Sequence, residues 1–173
     1  MKSAGRRREV LVDACVMIDY VYANRAIFAL WEQHYGRVRV VREVAREVKA
    51  FQNEEEIEKL GVEIVDLPVE DLALAAQLGG RLSFQDHLCV LASAKYRCVC
   101  VTNDKLLRAG CAKRDVPTMW GLELLIDLHK IGCINTQTAE ETARKIHSNN
   151  PKHITERIVN EFLLKIQPDY RGQ

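Results

Sequence analysis

Asp13, Asp66 and Asp104 each close an apolar run: Val10-Leu11-Val12, Val62-Glu63-Ile64-Val65 and Val99-Cys100-Val101-Thr102-Asn103. In a parallel α/β sheet, ligands bind outside the carboxyl ends of the strands, so acids at such places are the first candidates for chemistry. A carboxylate beside a buried strand end is unfavourable unless it is paired, hydrogen-bonded or bound to a metal. Asp13 is followed by Ala14-Cys15-Val16-Met17, which offers no local polar partner, whereas Asp66 runs into Leu67-Pro68 and reads as a loop residue. Asp104 also suits the cap of a following helix, and both readings stay open.

Two further acids join them. At about 100° per residue, Glu47 lies near Val44 and Val48 on the apolar stripe of a helix expected over Glu43–Phe51, with Glu43 toward the stripe's edge. Glu47 is the candidate and Glu43 its alternative, and an acid on this flank can also simply reach out to water. Asp86, in Ser83-Phe84-Gln85-Asp86, falls in the first turn of a helix that Ser83 could cap, where a negative charge favours the helix dipole. It lies off the Leu88, Leu91, Ala92 stripe and so faces an edge or a cleft. Asp13, Glu47, Asp86 and Asp104 together are hard oxygen donors of the kind that suit Mg²⁺ or Mn²⁺. Clustered carboxylates repel one another and stay ionised together only around a cation. Metal-activated water attacking phosphate is the chemistry that follows.

The elements that must position these residues read as alternating strands and helices. Strands are expected at Val10–Val12, Arg37–Val41, Val62–Val65, Cys98–Thr102 and around Val116–Met119. Between and after them come helices over Ile27–Tyr35, Glu43–Phe51, Val69–Leu78, Ser83–Tyr96, Asp104–Ala109 (stopped by Gly110) and Leu122–Leu128 (closed by Gly132). This order predicts a mostly parallel sheet covered by helices. Past Gly132 the composition turns polar, and Thr138-Ala139-Glu140-Glu141 has the pattern of a capping box opening a helix. Ile154, Ile158, Val159, Phe162, Leu163 and Ile166 form one apolar stripe on a second, which must pack on the domain or on a partner. The expected division is a domain over residues 1–130, with a basic leader at 1–8, and a helical extension over 131–173 packed on it.

A chain of 173 residues, 47% hydrophobic and 28% charged, suits one globular domain with a small appendage. Its 25 Lys and Arg face 24 Asp and Glu, but four of the cations, Lys2 and Arg6–Arg8, sit in the leader, leaving 21 against 24 beyond it. A sequence-independent nucleic-acid coat is thereby excluded, and any nucleic-acid contact must be a local patch. Candidates for that patch are Arg37, Arg39, Arg81, Lys105, Arg108 and the leader. The six cysteines contain no C-x-x-C and no His spacing for zinc, which fits a reducing cytosol, and Cys98 and Cys100 read as small core residues. No run approaches the ~20 apolar residues of a membrane helix, so a soluble, cytoplasmic chain is expected.

The stretches Val10-Leu11-Val12-Asp13-Ala14-Cys15-Val16-Met17-Ile18-Asp19-Tyr20, Val44-Ala45-Arg46-Glu47-Val48, Asp86-His87-Leu88 and Val101-Thr102-Asn103-Asp104 together resemble the PIN domain. The nearest likeness is to VapC-like toxin ribonucleases and their bacterial and archaeal relatives. It covers about Val10 to Leu128, and Thr102-Asn103-Asp104 is its most specific piece. The resemblance implies a three-layer α/β/α fold with a mostly parallel sheet and a Mg²⁺- or Mn²⁺-dependent endoribonuclease. It matches Asp13, Glu47, Asp86 and Asp104 to the four family acids, with Asp13, Asp86 and Asp104 on the metal and Thr102 assisting its shell. Cys15 stands where relatives commonly carry Asn, Ser or Thr, and a thiol is the poorer hydrogen bonder at that supporting position. The toxin of a type II toxin–antitoxin pair, inhibited by a small antitoxin protein, and a homodimer are further implications. A PIN-like interaction module without catalysis is the alternative that Cys15 leaves open. A phosphorelay receiver or an Asp-x-Asp phosphatase does not fit, because Asp13-Ala14-Cys15 lacks the second acid.

Overall fold

The structure, a computed structural model, describes residues 7–167; most of the basic leader (1–6) and the end of the expected extension (168–173) lie outside the described residues. Five short strands form the centre: β1 (Val10–Val12), β2 (Val38–Val41), β3 (Val62–Val65), β4 (Val99–Val101) and β5 (Thr118–Met119). All pair in parallel, in the order β3-β2-β1-β4-β5. β1 and β2 are buried throughout, as expected of parallel strands covered on both faces, and this is why their sequences are nearly continuous valine and leucine.

Among the described residues, ten helices connect and cover the strands. They are α1 (Ala14–Ala23), α2 (Ala26–His34), α3 (Arg42–Ala45), α4 (Glu54–Glu58), α5 (Val69–Gln77), α6 (Phe84–Tyr96), α7 (Lys105–Ala112), α8 (Glu123–Lys130), α9 (Thr136–Asn149) and α10 (Glu156–Ile166). The chain steps from β1 outward to β3, then crosses back to β4 on the other side of β1. Parallel crossovers are right-handed, so this reversal of direction sends α1 and α2 to one face and α5–α7 to the other, which fits three layers. α6 lies across β1, β2 and β4, while α8 returns to pack on α2.

Several elements differ from the pattern in the sequence. α1 was not signalled: Ala14-Cys15-Val16-Met17-Ile18 lacks a polar face because the helix is wedged between the sheet and α9. α3 stops at Ala45 instead of running to Phe51. After it the backbone tightens into three-residue steps, Glu47 N–H to Val44 C=O and Val48 N–H to Ala45 C=O, which buries Val44 and Val48 but turns Glu47 outward. α4, capped by Asn53, follows where no helix was expected. α7 runs through Gly110 to Ala112, with Gly110 lying close against Leu82. α9 begins at Thr136 under an Asn135 cap, whose side chain accepts from the Thr138 N–H at 2.7 Å, so Thr138 does not open the helix.

The apolar stripe of α10 is covered within the chain. Ile154, Val159, Phe162 and Ile166 join the same continuous core as the strands, together with Ala139, Ala143 and Ile146 of α9. α9 packs against α1, and α10 against α8 and α9. No helix among the described residues is long and apolar enough to cross a membrane.

Candidate functional site

The strand order reverses between β1 and β4, and ligands of open parallel sheets bind outside the carboxyl ends of the strands at such a point. β1 and β4 end flush, Val12 opposite Val101. The next residues therefore come out side by side, Asp13 from β1 and Thr102-Asn103-Asp104 from β4, with the Asp13 N–H donating to Val101 C=O at 3.3 Å.

Three of the expected acids sit at helix N-termini that converge here. Asp13 caps α1, its Oδ1 accepting from the Val16 N–H at 2.7 Å. Asp104 caps α7, with Oδ1 accepting from Leu106 N–H at 2.6 Å and Leu107 N–H at 3.2 Å. Asp86 lies in the first turn of α6 in a capping box: its Oδ2 accepts from Ser83 N–H at 2.9 Å while Ser83 Oγ accepts from Asp86 N–H at 3.1 Å. Capping and a role at the site are thus compatible. Backbone amides and helix dipoles hold one oxygen of each acid, and among the described residues no protein hydrogen bond engages Asp86 Oδ1 or Asp104 Oδ2.

Electrostatics show that the carboxylates share one region. Burial pushes Asp13 up from 3.8 to about 6, and the charges of Asp86 and Asp104 add to the rise, against the hydrogen bonds from Thr102 and Val16 that favour its ionised form. Thr102 is fully buried and its Oγ also accepts from the Asp104 N–H at 3.0 Å, so one hydroxyl ties the first acid to the fourth. Glu47 sits in the turn after α3, exposed, with desolvation and then the charge of Asp86 raising its pKa. Glu43, its alternative, is half-buried, and its Oε2 is buried with no hydrogen-bond partner. The thiol of Cys15 feels the whole group: desolvation, then Asp13, Asp19, Asp104 and Asp86 push it up to about 12. At neutral pH it is a thiol rather than a thiolate.

Asp19 is the site residue that sequence reasoning missed. It is 3% exposed, one and a half turns along α1 from Asp13, and burial raises it from 3.8 to about 7. Asn103 donates to Asp19 at 3.3 Å and accepts from the Gly121 N–H at 2.9 Å, and Asn150, between α9 and α10, donates to the same carboxylate at 3.1 Å. A Cβ at Gly121 would lie 3.0 Å from Asn103 Nδ2, so any side chain there would press on the amide that holds Asp19. The one available signal was an acid inside an otherwise apolar run, Val16-Met17-Ile18-Asp19-Tyr20-Val21.

The cations expected to meet nucleic acid fare unevenly. Arg39 is buried rather than on a polar strand face, locked between Glu9 at 2.6 Å and Glu63 at 3.1 Å, and Arg37 leans on Glu63 at 3.6 Å. Asp66 is held by a two-pronged contact from Arg42, which keeps its carboxyl low and agrees with a structural role. Lys105 and Arg81 remain exposed, and Arg108 stacks on Trp120.

The donor set fits a hard divalent cation in chemistry: carboxylates with free oxygens whose mutual repulsion such an ion would relieve. Among the described residues, however, no group of three or more His, Cys, Asp or Glu side chains already stands where it could hold a metal ion. Neither the models of known protein families nor the curated proteins give a match to this chain. At the switch point Asp13 and Asp104 leave adjacent strands, Asp86 is near enough to raise the pKa of Asp13, and Glu47 feels the charge of Asp86.

Proposed function

We propose that the chain is a metal-dependent endoribonuclease of the PIN type, hydrolysing RNA phosphodiester bonds at the Asp13–Asp86–Asp104 cluster. One observation carries this reading most: three acids at separate helix N-termini face the reversal of a parallel sheet, near enough that the charges of Asp86 and Asp104 raise the pKa of Asp13, an opposition that a cation would relieve.

Asp13, Asp86 and Asp104 would hold Mg²⁺ or Mn²⁺, each keeping one oxygen on its own helix. The cation supplies Lewis acidity toward the phosphate and lowers the pKa of water. Thr102, whose Oγ accepts from the Asp104 N–H and whose hydroxyl favours ionised Asp13, would support both acids. Glu47, whose pKa is raised by desolvation and by Asp86, would orient the attacking water and accept its proton on a carboxylate oxygen. Asp19, through Asn103, sets the loop that carries Asp104 without meeting the substrate.

The test is cleavage of a labelled single-stranded RNA in Mn²⁺, with Mn²⁺ binding followed separately by calorimetry. Asp13→Asn and Asp104→Asn keep a capping oxygen and remove a charge, so each variant is expected to stay folded and lose about two orders of magnitude in cleavage rate. Cutting at the parent rate would refute the assignment. A folded parent that binds Mn²⁺ but cuts no RNA would make this a PIN-like binding module.

A further inference from the structure

Beside the acidic cluster lies a cleft of about 620 Å³, walled by the start of α7, the loop between β5 and α8, and α10. We propose that this cleft is a nucleobase subsite, which receives an unpaired base of single-stranded RNA next to the phosphate that is cut; the proposal rests on the ribonuclease reading and names its substrate class.

The cleft has the two properties an RNA strand needs. Its floor is apolar, from Leu106, Leu122, Ile126, Ile158 and Phe162, and its volume is that of a small-ligand pocket. Its rim carries Lys105, Lys152, Arg157 and Lys165 against Glu123 and Glu161; among the described residues the three lysines form no ion pair, while Arg157 has an exposed contact to Glu161 at 3.6 Å. Asn103 and Asp104 line the same cleft, so it reaches Asp104, one of the four candidate acids. A strand whose phosphates follow the lysines therefore brings a neighbouring phosphodiester to Asp104.

Trp120 supplies the platform. It lines the cleft and is 39% exposed. The Arg108 guanidinium lies 3.9 Å from its ring centroid and steadies the indole, while the Glu123 carboxylate accepts from the Trp120 backbone N–H at 2.6 Å and fixes the main chain. Bases stack on such aromatic faces with little regard to sequence, and unpaired bases do so far more readily than those in a duplex. The two walls are also tied together. From the turn between α9 and α10, Asn150 bonds Asp19, Asp19 accepts from Asn103, and Asn103 accepts from Gly121, next to Trp120. α10 and the turn before it thus complete a substrate groove, and their packing on the core sets its far wall.

Binding of a fluorescein-labelled, unstructured RNA octamer, followed by anisotropy in EDTA so that the RNA stays intact, tests this. Trp120→Ala is expected to weaken binding about tenfold, Trp120→Phe to restore most of it, and the exposed pair Lys152→Glu with Lys165→Glu to weaken it and flatten its salt dependence. A duplex of the same sequence is expected to bind less tightly than the single strand. Equal affinity of Trp120→Ala and the parent would overturn the proposal, and if the parent still cuts RNA the nuclease reading survives that failure. Tight, Trp120-dependent binding by a parent that never cuts would keep the subsite and remove the nuclease. Quenching of the indole by an amphipathic leucine-rich helical peptide, with none by RNA, would assign the cleft to a protein partner and also overturn it. Trp31, the other tryptophan, is fully buried, so quenching reports on Trp120.

Discussion

Two buried carboxyls, Asp13 and Asp19, dominate the site at the scale of single residues. Both have folded pKa values raised above the ordinary value of 3.8, to about 6 and about 7, with burial the first cause in each. A raised pKa means that the folded state holds its proton more tightly than the unfolded chain. The contribution to stability is therefore complete below about pH 4 and is lost as pH rises through 6 for Asp13 and through 7 for Asp19. At 1.36 kcal/mol per pH unit the loss is on the order of 3–4 kcal/mol for each group, as an upper bound. Urea unfolding at pH 5 and pH 8 should show the parent markedly less stable at the higher pH. Asp19→Asn should flatten that slope, although the amide group meets donors from Asn103 and Asn150 and limits the gain at pH 8. An Asp19→Asn variant with the parent's full pH dependence would show that Asp19 ionises as freely folded as unfolded.

At the scale of elements, three helix N-termini do the positioning, and the α6 capping box is the most exposed of them to test. Ser83 accepts from Asp86 N–H and donates its own N–H to the Asp86 carboxylate, so the acid's orientation depends on the cap. Ser83→Ala should lower stability by about 1 kcal/mol. It should also weaken Mn²⁺ binding severalfold, while Ser83→Thr retains both; a loss of stability with unchanged Mn²⁺ affinity would separate Asp86 from the metal. How legible these elements were follows from their physics. β1, β4 and the acids after them could be read directly, because parallel strands are continuous apolar runs and their ends fall at the first polar residue. α1 could not, since a helix buried on most sides has no 3.6-residue polarity to detect, and Asp19 was lost along with it. Glu47 was placed on a helix because Val44 and Val48 are four apart, a spacing that the tight turns after Ala45 satisfy equally well. The cleft was invisible for a different reason: its walls, α7 and α10, are some fifty residues apart in sequence and meet only through tertiary packing.

At the scale of the whole molecule, the described residues share one core, to which the helices after residue 130 contribute alongside the strands. Ile146, Ile154, Val159, Phe162 and Ile166 are each buried to within 3% exposure, all on or beside α9 and α10. Full burial of such a side chain is worth roughly 1.5–3 kcal/mol. Together these residues match the ~5–15 kcal/mol by which an entire domain is stable. Removing everything after Gly132 would also bare the faces of α1 and α8 beneath them and leave Asp19 without Asn150. The truncated chain is therefore expected to be insoluble or, if soluble, to melt without a cooperative transition and to bind a hydrophobic dye. Tm by scanning calorimetry and dye fluorescence would measure this. A cooperative melt within a few degrees of the parent would mean that the sheet and its first eight helices are a self-sufficient domain. In that event α9 and α10 are retained for the groove that α10 walls, and the truncated chain should keep its acids' affinity for Mn²⁺ while losing its hold on single-stranded RNA.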